Sequence, residues 1–166
     1  MARKDADRKG GGRYELFWQE VSDMSKLETP MTRWYWKQVG GTLIEEFRAV
    51  DRSRSCGARL LDGVILKEGE FRLARQSEAS VEGQDIIVVQ TDAGRLGMYV
   101  MGQAFFSAQL MQRFKPRSVV SVALVAEDDD VLRPLFERYP RMHVVVCPPE
   151  VSGRTKPRSR RRKKRD

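Results

Sequence analysis

Apolar positions along this chain recur first at a helical and then at a strand period. Tyr14, Phe17, Trp18, Val21 and Met24 predict a short amphipathic helix that ends before Pro30. From Thr32 to Val50 a second helical stripe is formed by Trp36, Val39, Leu43, Phe47 and Val50. Gly40 and Gly41 lie inside it, each costing about 1 kcal/mol relative to alanine, which implies close packing or a kink. The period then shortens. Arg59 to Lys67, Glu70 to Arg75 and Asp85 to Thr91 read as strands, with Gly57, Gly69 and Gly83 in the turns. The β-branched run Ile86 to Val89 fits a strand covered on both faces. Gly97 to Phe114 reads as a helix apolar nearly all round, and therefore buried. Ser118 to Ala126, Asp129 to Tyr139 and Met142 to Cys147 follow as a strand–helix–strand crossover, for which a right-handed connection is expected. The order predicted is α, α, β, β, β, α, β, α, β. It describes an α/β domain with a mixed central sheet of about four to five strands flanked by helices. Its limits are placed at residues 31–149, after an N-terminal extension (1–30) and before a basic tail (150–166).

Charge sharpens that division. The chain of 166 residues carries a net charge of +8. Ser152 to Asp166 holds nine basic residues and one acidic, and Met1 to Arg13 holds five basic and two acidic. Tyr14 to Val151 keeps the remaining 17 basic and 20 acidic residues, a net charge of −3. The tail, with Arg158, Arg160, Arg161, Arg162, Lys163, Lys164 and Arg165, has a disordered composition and would bind nucleic acid by counterion release, without sequence preference. The same run reads equally as a nuclear localisation signal in a eukaryotic cell, or as a solubilising tail with no fixed partner. No apolar run approaches a membrane span and no secretory signal is evident. Cys56 and Cys147 read as two reduced thiols of a cytoplasmic protein. No motif for a small-molecule cofactor is present; the glycines near the start precede no strand–helix unit.

Four polar residues interrupt apolar segments. Asp62 sits within RLLDGVIL, where a carboxylate costs several kcal/mol unless compensated. Gln90 and Asp92 end the central strand two residues apart, on one face of it. On the predicted second helix, Glu46 lies nearer the apolar stripe than Glu45. A helix bearing Glu46, a strand bearing Asp62, a strand ending VVQTD, then a helix and a strand together resemble the αβββαβ core of the PD-(D/E)XK nuclease superfamily, over about Thr32 to Ala126. The resemblance implies a nuclease with Mg2+ or Mn2+ held by Glu46, Asp62 and Gln90, and with Asp62, Gln90 and Asp92 as catalytic positions. Two departures stand out. Gln90 replaces an acid, although its carbonyl can still coordinate magnesium. Asp92 stands where the signature lysine belongs and reverses the charge at the phosphate position; Arg95 or Lys67 would have to supply the cation. A nuclease-like fold without catalysis, binding nucleic acid or protein, is the competing reading.

Blander roles are also open. Asp62 reads equally as a satisfied bulge residue, and Asp92 with Gly94 as a strand-to-helix turn. Glu127 to Asp130 reads as an N-terminal helix cap through Asp128 or Asp129, not as a metal cluster. His143 has no partner at zinc-ligand spacing. Trp34, Tyr35 and Trp36 read as core or cap residues more readily than as a base-stacking surface.

Overall fold

The computed structural model describes residues 26–153. The amphipathic stretch Tyr14 to Met24 and the basic tail from residue 154 onward lie outside the described residues, while the first residues read as tail form part of a short helix. Residues 26–39 are helical (α1), followed by strands β1 (Thr42–Val50), β2 (Arg59–Leu66), β3 (Arg72–Leu73) and β4 (Asp85–Arg95). Helix α2 (Met98–Met111), strand β5 (Ser118–Glu127), helix α3 (Leu132–Phe136), strand β6 (Met142–Val146) and helix α4 (Pro149–Ser152) complete the chain. Six strands form one mixed sheet in the order β3-β1-β2-β4-β5-β6. The pairs β1–β2 and β2–β4 are antiparallel, and β4–β5, β5–β6 and β1–β3 are parallel.

The α/β class with helices on a mixed sheet is as the pattern predicts, and all five predicted strands are present. The sixth strand, β1, comes from residues read as the second half of a long helix, so Glu46 stands on a strand. The reason lies at Gly40 and Gly41, with φ of +77° and +80°. Two consecutive left-handed residues end a helix; they do not kink it. A Cβ on Gly41 would lie 2.2 Å from the Leu66 carbonyl oxygen, because the chain turns tightly onto β2. Pro30, read as a helix stop, lies inside α1: proline's fixed φ is a helical one, and it forfeits a single backbone bond.

Each face of the sheet carries a core. Ile44, Phe47, Leu61, Val64, Ile86 and Val88 pack against Val100, Ala104, Ala108 and Met111 of α2. Leu43, Ile65, Ile87, Val89, Val122 and Leu124 pack against Met31 and Trp36 of α1. Trp36 Nε1 donates to the Gly41 carbonyl at 2.8 Å and its ring stacks on Phe71, which places it in the core role. Helix α2 departs from expectation. It buries only its sheet side, while Met98, Tyr99 and Phe106 are exposed. Apolar composition all round does not bury a helix when, among the described residues, no element covers its outer side.

Candidate functional site

Strict alternation would direct Asp62 into the α2-side core, because Val64 and Leu66 belong to that face. The backbone prevents this. On β1, Ile44 and then Phe47 and Ala49 face α2, so the face switches between positions 44 and 47. The switch falls at Glu46, a non-glycine residue at φ +49°. On β2, Leu61 and Val64 share the α2 face, so a matching switch falls at Asp62 and Gly63. Pairing runs through Glu45↔Gly63 and resumes at Phe47↔Leu61 in the same register, leaving Glu46 and Asp62 between these pairs. Both carboxylates therefore reach the α1 side. Gly63 makes room there: a Cβ on it would meet the Thr32 methyl at 3.0 Å and Leu43 at 3.1 Å.

The result is a cavity of about 370 Å3 lined by Glu28, Thr29, Thr32 and Arg33 of α1, Glu45 and Glu46 of β1, and Asp62 of β2. The β2–β4 ladder stops at Gly63↔Val89, and the Asp62 carboxylate takes over from the backbone by accepting the Thr91 N–H at 2.7 Å. The Thr32 and Thr91 hydroxyls share a buried hydrogen bond of 2.8 Å, tying α1 to β4 beside the acids. Arg33, a cation of the lining, is engaged by both oxygens of Glu45 at 2.7 and 2.8 Å.

The electrostatics are one-sided. Burial pushes the Asp62 carboxyl up to about 6, against the Thr91 hydrogen bond, with the Glu46 charge adding to the rise. Burial pushes Glu28 up to about 7, with further contributions from the charges of Asp62 and Asp92. Burial on two separate elements thus raises both acids toward neutrality, and among the described residues no cation in the lining offsets it, Arg33 being taken by Glu45.

Glu46 and Asp62 line this cavity, Glu46 from a strand and not from the helix that the resemblance implies, and the charge of Asp92 acts on Glu28. Gln90 does not line it. It faces α2, buried, donating through Nε2 to Ser107 Oγ at 2.7 Å. Gln90 and Asp92 pair in unbroken register with Ala123 and Val125, and the β4 irregularity, between Asp92 and Arg95, comes after them. Asp92 Oδ1 accepts the Gly94 N–H at 2.7 Å inside β4, at the irregularity before Arg95, and not in the strand-to-helix turn read for that pair. Neither rescuing cation arrives. Arg95 pairs with Glu127 at 3.1 Å, and Lys67 follows the far end of β2, its N–H on the Asp85 carbonyl. The acidic run caps α3: Asp129 Oδ1 accepts from Val131 and Leu132, and Asp128 pairs with Arg133.

Glu28 is the acid the sequence reading missed. A break before Pro30 removed it from the helix; a helix continued through that proline places Glu28 and Thr32 four residues apart on one face. No family model matches the chain, and no curated protein or solved structure matches it at a significant level. Among the described residues no helix is long and apolar enough to cross a membrane.

Proposed function

We propose that this chain is a metal-dependent, nuclease-like protein that hydrolyses phosphodiester bonds of nucleic acid, slowed by Asp92. The observation that carries the reading is the meeting of Glu28 and Asp62, from a helix and a strand, in one acid-lined cavity where, among the described residues, no cation is free. With the two-residue β3 set aside, the order α1-β1-β2-β4-α2-β5 is αβββαβ, which supports the resemblance and gives Glu28 the helix-acid role first read for Glu46.

The donors suit magnesium or manganese in kind, being hard carboxylate oxygens. Among the described residues no three acidic, histidine or cysteine side chains form a ready ligand cage. Magnesium does not require one, since one or two carboxylates suffice and water fills the other positions. Glu28 and Asp62 would hold the ion, with Glu46 across the cavity and Gln90 excluded by its bond to Ser107. A bound ion there supplies charge neutralisation for the phosphate and a more acidic water. The chain's own contribution is positional. The Thr91 N–H fixes one oxygen of Asp62, leaving the other for the ligand, and Thr32 anchors α1 so that Glu28 stays opposite. Asp92 adds negative charge where a phosphate would approach, a penalty on the order of 10²–10³ in rate if it replaces a stabilising cation. That charge, with Gln90 turned away, favours a second reading: a nuclease-like fold that binds nucleic acid or protein without cleaving.

Labelled single- and double-stranded DNA and RNA incubated with the protein and Mg2+ or Mn2+ should be cleaved slowly. Cleavage should vanish in Asp62→Ala and Glu28→Gln and increase in Asp92→Lys. Gain of cleavage by Asp92→Lys over an inert wild type would establish the second reading. No cleavage by any of these proteins would rule out catalysis.

A further inference from the structure

Arginines are concentrated at one place in a body whose net charge is −3. From Arg48 to Arg59 there are four, Arg48, Arg52, Arg54 and Arg59, against the single acid Asp51. The β1–β2 connection that carries them, residues 51–58, is exposed throughout. Arg48 has Asp51 within 3.6 Å; among the described residues no carboxylate pairs with Arg52, Arg54, Arg59 or Arg113.

Arg59 and Arg113 line a groove, and Arg52 and Arg54 stand on the exposed connection whose Cys56 and Gly57 form part of its wall. A cavity of about 430 Å3 lies between the connection and α2, lined by Val50, Cys56, Arg59, Phe106 and Arg113 among others. It shares Arg59, Phe106 and Leu110 with a second of about 470 Å3 that runs on to Leu60, Met98 and Tyr99. Among the described residues no aspartate or glutamate lines either. Along it Met98, Tyr99 and Phe106 are 77%, 76% and 65% exposed, an apolar surface unusual for a side with no function. An apolar protein partner would account for the aromatic floor but not for unpaired guanidinium groups bordering it. Single-stranded nucleic acid accounts for both: bases stack on aromatic rings while arginines take the phosphates. A duplex keeps its base faces covered and cannot use the floor.

We propose that the groove between the β1–β2 connection and α2 binds single-stranded nucleic acid, with Phe106 and Tyr99 stacking on bases and Arg52, Arg54, Arg59 and Arg113 on phosphates. The inference does not rest on catalysis in the carboxylate cavity, which opens on the other face of the sheet. Cys56 supplies the test, since it is exposed in the groove wall while Cys147 is buried. In the full-length chain, saturating oligo-dT should slow alkylation of Cys56 several-fold, and equally in Asp62→Ala, which separates binding here from any failure of the nuclease reading. Phe106→Ala and, on the exposed connection, Arg54→Glu should each weaken binding of labelled oligo-dT roughly tenfold. Binding with an unchanged Cys56 rate and wild-type affinity in both variants would assign the oligonucleotide to the basic tail alone and overturn the proposal. It would equally be overturned by a dimer in sedimentation that Phe106→Glu dissociates, if oligo-dT gives no protection.

Discussion

Asp62→Asn removes the charge of the site's most constrained acid while keeping an oxygen to accept the Thr91 N–H at 2.7 Å. The new amide N–H groups face a cavity lined by carboxylates, where donors are welcome. Asp62 is raised from the usual 3.8 to about 6, so the folded chain retains a proton that the unfolded chain has released. Its contribution to stability is therefore fully present below about pH 4 and is lost as pH rises through about 6. A rise of roughly two pH units, at about 1.36 kcal/mol each, sets an upper bound near 3 kcal/mol for the cost at neutral pH. Solvent reaching the cavity reduces this, and a gain of about 2 kcal/mol for the variant is expected at pH 7.5, with almost none at pH 4. Urea unfolding of both proteins from pH 4 to 8 measures it. Repeated with Mg2+ or Mn2+, the wild type should recover most of the difference and the variant should not respond. A stability difference that is independent of pH, or a variant weaker than wild type at pH 7.5, would refute the account of Asp62 as a buried charge without a cation.

Other perturbations separate architecture from site. Glu28→Gln should also stabilise above about pH 7, by less than Asp62→Asn because Glu28 is closer to solvent, as the same urea series would show. Thr32→Val leaves the buried Thr91 hydroxyl unpaired and should cost about 1–3 kcal/mol in denaturant unfolding at any pH. Gly41→Ala combines a φ of +80° with a 2.2 Å clash against the Leu66 carbonyl, and a loss of more than about 2 kcal/mol is expected by thermal melting. Gln90→Leu should leave the metal-dependent stabilisation intact, since Gln90 bonds Ser107 on the opposite face; abolition of the metal response would return Gln90 to the site.

Strands were legible wherever the local pattern and the partner face agreed. IIVV is β-branched and continuous, and it became the centre of the sheet between β2 and β5. TLIEEFRAV was not legible, because with Glu46 outside strict alternation its apolar residues fit a helical stripe about as well as a strand. The face switch that breaks its period depends on pairing with β2, a long-range contact no local window contains. The same switch explains why Asp62 was recognised as anomalous but its surroundings were not. An acid in an apolar strand is visible in the sequence; the helix bearing Glu28 that packs over it is not.

By itself the sequence determined the α/β class, five of the six strands, the segregation of charge to the ends and the anomaly of Asp62 as an acid in an apolar strand. Those properties follow from periodicity and composition, which are local. Tertiary structure decided that β1 is a strand, that Gln90 belongs to the α2 face, and that Glu28, not Glu46 alone, stands with Asp62. The first and third depend on which face the irregularity at Glu46 and Asp62 presents, and the second on which helix covers the face that Gln90 shares with Ile86 and Val88; all are fixed only when the sheet assembles.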